Sequence, residues 1–251
     1  MRFGIKRLFG VAAAALALGA LAQPADAIEL SKHPLDSVEV NAIQLKGKID
    51  DGDTFDLQVY ISKLPKKPSI VVYLNSPGGN LREGMRLGKF FFDNRIETVI
   101  ETKTACSSAC ALAFLGGRDG DSGKPRRTKA SNSGLGFHSF TREFDNKSYT
   151  ADDLKTVVQM TQTQVFVVAE YLKSIGADMD IIRLMLRAQA NQMNYISNDE
   201  ALTLNIRVFD DKRNVMVDPA DVMERLDRGH AATAAQPAGS ATAKAEGKLQ
   251  S

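Results

Sequence analysis

The chain has 251 residues, and its 32 Lys and Arg residues nearly balance its 30 Asp and Glu residues, which leaves a formal net charge of +2. Proteins that attract nucleic acid or an anionic membrane through charge carry a basic surplus, so this balance argues against both kinds of partner. With only two Cys and three His, the chain offers few side chains for a metal centre, and neither a metal nor a cofactor is predicted.

The first 27 residues have the pattern of a secretory leader. Basic residues open this segment, residues 8–22 are apolar, and Ala25-Asp26-Ala27 forms a cleavage signal of small residues. The apolar stretch is too short to span a bilayer comfortably, and no second run of spanning length follows it. We therefore expect a periplasmic or secreted protein that begins near Ile28 and has no stable membrane anchor after cleavage. The alternative is an uncleaved anchor.

Residues 28–211 have the size of one domain with its own core. Predicted strands alternate with predicted helices along this segment, which indicates an α/β fold with a mainly parallel sheet flanked by helices. Residues 212–251 are predicted to be a C-terminal extension. From about residue 228 its composition offers almost nothing to bury, so disorder is expected there.

The predicted elements follow one another in short segments. Strands are predicted at residues 43–49, 70–74, 98–101, 135–140 and 206–209. Helices are predicted at residues 54–62, after Asn80, at 105–114, 150–175 and 178–187, and after Ser197, with Ser197 and Glu200 as a capping box. The basic stretch at 123–129 is predicted to belong to a solvated loop. Ligands of open parallel sheets bind beyond the carboxyl ends of the strands, so function is expected in the turns there.

The most informative turn is Ser76-Pro77-Gly78-Gly79, which follows the apolar strand at 70–74. Two adjacent glycines adopt dihedral angles closed to other residues and bring bare N–H groups close to a bound group. Asn80 is predicted to cap the next helix, and Glu83 to complete a capping box. A strand, a glycine turn and a helix N-terminus together form an anion site. Such a site can hold either a phosphate or the oxyanion of a tetrahedral intermediate.

A candidate nucleophile and a candidate base favour the oxyanion. His33 lies near the predicted mature N-terminus and His230 in the tail, which leaves His138 as the base for a hydroxyl nucleophile. Ser108, at the start of a helix of small residues, is the candidate nucleophile. Each residue also has a plainer interpretation, because Ser107 and Ser108 can cap that helix and a lone His is often structural.

The two cysteines, Cys106 and Cys110, lie four residues apart around Ser108. In an oxidising compartment two such thiols can pair as a disulfide. On a regular helix, however, side chains with this spacing are badly placed for disulfide geometry. A disulfide and two small buried thiols both remain open. A metal site is not predicted, because no other Cys and no nearby His completes a ligand set.

The order of strand, Ser-Pro-Gly-Gly, helix, strand, Ser turn, loop and strand with His resembles the ClpP/crotonase superfamily over about residues 43–210. Within it, the chain most resembles the Clp protease proteolytic subunit and its exported relatives, including signal peptide peptidase A. The resemblance implies that Gly78 and Gly79 supply the N–H groups of an oxyanion hole. It also implies that Ser108 is the nucleophile and that His138 is its base.

The third member of the triad is an Asp in the Clp subunit, and the matching position here is Met193. Its polar neighbour Asn194 is predicted to orient His138, as Asn does in papain-like enzymes. The resemblance thus implies an exported, metal-independent serine peptidase that acts on peptides or unfolded protein. Because relatives form rings or stacked oligomers, it also allows a homo-oligomer. The alternatives are an inactive binding or scaffolding protein of the same fold, and a crotonase-type enzyme that acts on a coenzyme A thioester.

Overall fold

A computed structural model describes residues 28–139, 148–188 and 192–222 of the chain. The predicted leader at 1–27, the end of the predicted strand at Phe140 and the predicted disordered tail from about residue 228 lie outside the described residues. No helix of the described ranges combines the length and the apolar character that crossing a membrane requires.

Ten strands and six complete helices form in the described part of the chain, and residues 219–222 are also helical. The strands are β1 (Glu29–Lys32), β2 (Val40–Lys46), β3 (Ser69–Asn75), β4 (Glu97–Ile100), β5 (Ala105–Ser107), β6 (Arg127–Ala130), β7 (Gly134–Phe137), β8 (Asn194–Tyr195), β9 (Arg207–Asp210) and β10 (Val215–Val217). The helices are α1 (Asp53–Ser62), α2 (Leu81–Asp93), α3 (Ala109–Phe114), α4 (Ala151–Ser174), α5 (Asp180–Arg187) and α6 (Asn198–Thr203).

The strands form two sheets. The larger has the order β1-β2-β3-β4-β6-β9-β10. Its five inner strands are parallel, and its edge strands β1 and β10 run antiparallel to their neighbours. The smaller sheet has the order β5-β7-β8, with β5 and β7 parallel and β8 antiparallel. The predicted α/β class with a mainly parallel sheet flanked by helices is therefore confirmed.

Close packing of α2 against α3 fixes the position of the Ser108 turn. A Cβ atom added to Gly84 of α2 would overlap the main chain of Ala109, so the two helices approach to a distance that only glycine allows. The Tyr171 hydroxyl of α4 donates a hydrogen bond of 2.7 Å to the carbonyl oxygen of Leu112. All six residues of α3 are buried. The helix that follows Ser108 is thus anchored inside the core.

The helix predicted at 105–114 begins later than expected, because its first three residues form β5. The Ser76 N–H donates to the carbonyl oxygen of Ala105 at 2.9 Å, and the Ser107 N–H donates back to the Ser76 carbonyl oxygen at 3.0 Å. These bonds join the end of β3 to β5. Pairing with a distant segment overrides the local preference of these small residues for helix.

The prediction of a solvated loop at the basic stretch 123–129 is wrong for the second half of that stretch. Residues Arg127–Ala130 form β6, which lies between β4 and β9 inside the large sheet. Arg127 is 2% exposed and Lys129 is 1% exposed. The Lys129 Nζ donates to the Ala130 carbonyl oxygen at 3.0 Å and to the Asn198 Oδ1 at 2.6 Å. Burial lowers the pKa of Lys129 below its ordinary value.

The long helix α4 has the predicted ends but buries less of its apolar face than its sequence pattern indicates. Thr150 and Asp153 form a capping box, and Gly176 stops the helix with a φ of 60°. Val168 and Leu172 are buried near the C-terminal end. Nearer the N-terminal end the same face is exposed, for example at Leu154. Only the last turns of α4 therefore pack on the domain.

Near the C-terminus, the predicted capping box is confirmed, but the predicted start of one helix and the predicted end of the sheet differ from the structure. Ser197 and Glu200 form the predicted capping box of α6. The second predicted helix begins at Asp180 rather than at Asp178, whose Oδ1 accepts the Asp180 N–H at 2.8 Å. The strand β9 is followed by β10, which pairs with it antiparallel, so the sheet continues past residue 211.

Candidate active site

The glycine turn after β3 is pressed between two other segments of backbone. Gly78 and Gly79 have φ values of 98° and 146°, in the region that favours glycine. A Cβ on Gly78 would meet the Ser107 carbonyl oxygen at 2.5 Å, and one on Gly79 would overlap the Ile49 carbonyl group. The Ile49 N–H in turn donates to the Gly78 carbonyl oxygen at 2.8 Å. Both positions therefore require glycine for steric reasons.

The N–H groups at this turn are not equivalent. The Gly78 N–H donates to the Ser76 Oγ at 3.1 Å, so it is already in use. Neither the Gly79 N–H nor the Ala109 N–H has a hydrogen-bond partner among the described residues. Gly78 was predicted to supply an oxyanion donor and does not offer a free one. The two free donors beside Ser108 are those of Gly79 and Ala109, and Ala109 was missed by sequence reasoning.

Ser108 lies at the sharp turn between β5 and α3. Its φ of 57° and ψ of −123° are a strained combination for a residue with a Cβ atom. The Ser108 N–H donates to the Gly136 carbonyl oxygen of β7 at 2.9 Å. Its side chain makes no capping hydrogen bond to α3. The alternative that Ser108 is only a helix cap is therefore excluded.

The two cysteines around this turn form a disulfide, which was one of the two alternatives that the sequence left open. Their Cα atoms are 5.2 Å apart, and neither residue is exposed to solvent. The spacing of four residues is compatible with pairing because Cys106 lies on β5 and Cys110 lies in the first turn of α3. They do not share one regular helix, which would have separated the sulfur atoms.

His138 follows β7 and contacts the Ser108 side chain directly. Its Nε2 lies 2.6 Å from the Ser108 Oγ, and its Nδ1 lies 2.7 Å from the Ser139 carbonyl oxygen. A carbonyl oxygen only accepts, so the Nδ1 carries the proton and the Nε2 accepts the hydroxyl proton of Ser108. The pair has the geometry of a hydroxyl nucleophile with its general base.

Asn194 does not orient His138, and that prediction is corrected. The Asn194 Nδ2 donates to the Leu184 carbonyl oxygen at 3.1 Å, and its Oδ1 accepts from Arg187 at 3.3 Å. The side chain therefore faces α5. Within the described residues, His138 hydrogen-bonds to no carboxylate or amide side chain, and the Ser139 carbonyl group takes the position behind the imidazole.

A cavity of about 180 Å³, lined by both apolar and polar side chains including Gln164, opens beside the Ser108 and His138 side chains. Its apolar wall comes from four elements or turns of the fold, through Leu81, Leu112, Phe137 and Met185. Sequence reasoning missed these residues as a group. Leu112 could have been found, because it lies one helical turn after Ser108. Phe137 and Leu81 could have been found too, because they lie within two residues of His138 and Gly79. Met185 of α5 is brought there by tertiary packing.

A pair of buried acidic side chains supports the segment that contacts Gly79. The Asp53 Oδ2 accepts the Asp50 N–H at 2.7 Å, and the Glu83 Oε1 accepts the Thr54 N–H at 2.7 Å. Glu83 thus does not complete the predicted capping box, because the Asn80 N–H is already bonded to the Ile49 carbonyl oxygen. Burial, and then the nearby charge of Glu83, raise the pKa of Asp53 to about 6.

No group of three or more His, Cys, Asp or Glu side chains within the described ranges is arranged to hold a metal ion. No protein-family model matches the chain, and no curated protein matches it at a significant level. The chemistry of the site therefore follows from its own geometry, which is that of a serine nucleophile with an imidazole base and two free N–H donors.

Proposed function

We propose that the protein is a serine hydrolase that cleaves peptide bonds, with Ser108 as nucleophile and His138 as general base. The observation that carries the proposal is the distance of 2.6 Å between the Ser108 Oγ and the His138 Nε2. A buried turn with a strained φ holds this serine, and strained residues cluster at functional sites. The Ala109 N–H at this turn and the Gly79 N–H at the neighbouring glycine turn have no hydrogen-bond partner among the described residues.

The reaction proceeds through an acyl-enzyme. The Ser108 Oγ attacks the substrate carbonyl carbon while its proton moves to the His138 Nε2. The N–H groups of Gly79 and Ala109 donate to the developing oxyanion. His138 then gives the proton to the leaving amine, and in the second half it takes a proton from the water that hydrolyses the ester.

The hydrogen-bond partner of the His138 Nδ1 affects the rate of catalysis that we expect. In a serine protease, replacing the triad Asp by Asn lowers kcat about 10⁴-fold because the imidazole then adopts the wrong tautomer. The Ser139 carbonyl oxygen, 2.7 Å from the Nδ1, selects the correct tautomer. It carries only a partial charge, so it stabilises the imidazolium less than a carboxylate does. Among the described residues it is the group behind the imidazole, and with this group alone we expect a working enzyme with a lower kcat than a complete triad gives.

The cavity supports a substrate with an apolar side chain next to the scissile bond. An apolar cavity of about 150 Å³ is known to bind benzene, and the cavity here measures about 180 Å³. It therefore has room for a Leu, Met or Phe side chain. A short peptide or an unfolded chain that can place such a side chain in the cavity is the substrate class that we propose.

The ClpP/crotonase resemblance and the export of the protein are part of the same proposal. The order of β3, glycine turn, α2, β4, Ser108 turn and β7 with His138 supports the family fold. The disulfide supports a periplasmic or secreted location, because disulfides persist in oxidising compartments.

The proposal is tested with a fluorophosphonate probe, which reacts with an activated serine. We expect the wild-type protein to be labelled at Ser108, as located by peptide mass spectrometry, and Ser108→Ala to abolish labelling. Ser107→Ala is the matched control, because Ser107 is adjacent and its Oγ bonds to the Tyr195 hydroxyl at 3.3 Å instead of to His138. A folded wild-type protein that takes up no probe would contradict the proposal.

A second candidate is a binding protein of the same fold that has lost catalysis. The observation that favours it is that, among the described residues, a carbonyl group and no carboxylate contacts the His138 Nδ1. Such a protein would bind apolar peptides in the cavity without being labelled by the probe. Calorimetry with a short Leu-containing peptide, carried out beside the labelling experiment, separates the two candidates.

A further inference from the structure

The nucleophile is enclosed by a covalent ring. Cys106 lies two residues before Ser108 and Cys110 two residues after it, and their disulfide closes the turn with a Cα separation of 5.2 Å. Both cysteines are fully buried. The bond therefore connects the last strand before the nucleophile to the first turn of the helix that follows it.

The conformation of Ser108 needs such a restraint. A residue with a Cβ atom keeps a φ of 57° and a ψ of −123° only where its surroundings impose them. Before Ser108, backbone hydrogen bonds fix the chain, from Ser107 to Ser76 and from Ser108 to Gly136. After Ser108, the Ala109 N–H has no partner in the described part of the chain. The second side of the turn is held by the Leu112 N–H, which donates to the Ser108 carbonyl oxygen at 3.3 Å, and by the packing of Ala109 against Gly84. The disulfide at Cys110 adds the covalent link from this side to β5.

The small size of the ring indicates a local effect. In the chain-entropy model, the stabilisation from a disulfide grows with the length of the loop that it closes. A ring with three residues between its two cysteines restricts the unfolded chain little compared with a long loop. Its main effect is therefore on the geometry of Ser107, Ser108 and Ala109 in the folded state.

We propose that the Cys106–Cys110 disulfide is a positioning device for the nucleophile, which keeps the Ser108 Oγ facing the His138 Nε2. This inference rests on the proposed hydrolase function. Reduction by a dithiol reductant transfers two electrons and two protons, so that Cys106 and Cys110 become thiols while the reductant becomes a disulfide. The turn then relaxes toward unstrained dihedral angles, and the serine loses reactivity while the domain stays folded.

The test is the double variant Cys106→Ala/Cys110→Ala, with the labelling rate constant kinact and the probe constant KI measured separately. We expect kinact to fall roughly 10- to 100-fold, which corresponds to release of backbone strain, and KI to stay unchanged because the cavity is intact. Ile206→Val, in the buried core beside β9, is the matched control for lost stability. It should leave kinact unchanged.

Hydrogen exchange separates this inference from the proposed function. In the double variant, the amide protons of Ser107 and Ser108 should exchange at least about tenfold faster, while those of β3 keep their rates. If the wild-type protein takes up no probe, the proposed hydrolase function is overturned. The exchange rates would still show whether the disulfide restrains the Ser108 turn. Equal kinact or equal exchange rates in the two proteins would overturn the positioning role.

If the double variant does not fold, dithiol-reduced wild-type protein gives the same comparison, and reoxidation should restore kinact.

Discussion

The nucleophile side of the candidate site and its histidine side are fixed in different ways. On the nucleophile side, a disulfide, two glycine contacts and hydrogen bonds to two other strands all restrain the Ser108 turn. On the histidine side, the described residues give the imidazole one partner besides Ser108 itself, the carbonyl group of Ser139. The difference separates a rigid half, which stores backbone strain, from a half to which the described residues give a single orienting hydrogen bond.

This difference follows from what each half has to do. A strained conformation persists only if several contacts oppose its relaxation, so Ser108 needs many restraints. An imidazole after a strand needs only one acceptor at Nδ1 to present the correct nitrogen to the hydroxyl group. Substitutions on the two sides should therefore differ in kind as well as in size.

The largest effect is expected for His138→Gln on the histidine side. Glutamine cannot take a proton from Ser108, so the rate of fluorophosphonate labelling should fall by about 10³-fold or more. His33→Gln is the control, because His33 is stacked on Tyr73 at a ring distance of 3.7 Å, away from the cavity. Equal labelling of His138→Gln and wild type would show that Ser108 is not activated by this base.

Gly79→Ala should have the next largest effect, on the rigid side. The new Cβ would overlap the Ile49 carbonyl group, so the turn must shift and the Gly79 N–H loses its alignment. Loss of one oxyanion donor costs about 10²- to 10³-fold in rate. Gly52→Ala is the matched control, because Gly52 also has a positive φ, 104°, but open space around its Cβ position. Similar rates in the two variants would mean that backbone strain alone, rather than the donor, matters.

Asp53→Asn tests the support beneath the rigid side through stability. The pKa of Asp53 rises from 3.8 to about 6 on folding, so its neutral form favours the folded state. That contribution is complete below about pH 3.8 and is lost as the pH rises through about 6. An Asn stays neutral, so the variant should be more stable than wild type at pH 8, by roughly 1–2 kcal/mol once solvent screening is allowed for.

Urea unfolding at pH 4 and pH 8 measures the Asp53 effect, and the advantage of Asp53→Asn should disappear at the lower pH. Asp121→Asn, at an exposed loop position, should show no such pH dependence. A variant less stable than wild type at both pH values would mean that the charged carboxylate is required.

The smallest effect is expected for Asn194→Ala, which sharpens the description of the histidine side. Because Asn194 bonds to Leu184 and Arg187, its loss should change the labelling rate less than about threefold. The free energy of unfolding should fall by about 1 kcal/mol. A labelling rate about 10⁴-fold lower than that of wild type would mean that Asn194 is the third catalytic group.

Much of the candidate site could be predicted because local chemistry indicates it. The adjacent glycines require special dihedral angles, and Ser108 and His138 are residue types suited to nucleophile and base chemistry. Their contact is what the structure adds. The contact that the described residues make with the His138 Nδ1 could not be predicted, since it comes from the Ser139 carbonyl group and every residue has such an acceptor.

The α/β class and the helix caps at Asn80 and Ser197 could be predicted from the sequence, because a cap depends on residues a few positions apart. That Cys106 lies on a strand and can pair with Cys110, and that the charged segment Arg127–Ala130 is buried in the sheet, follows from tertiary packing. Strand pairing joins residues that are distant in the chain, and its hydrogen bonds come from backbone groups that all residues share. For that reason local sequence patterns did not reveal it.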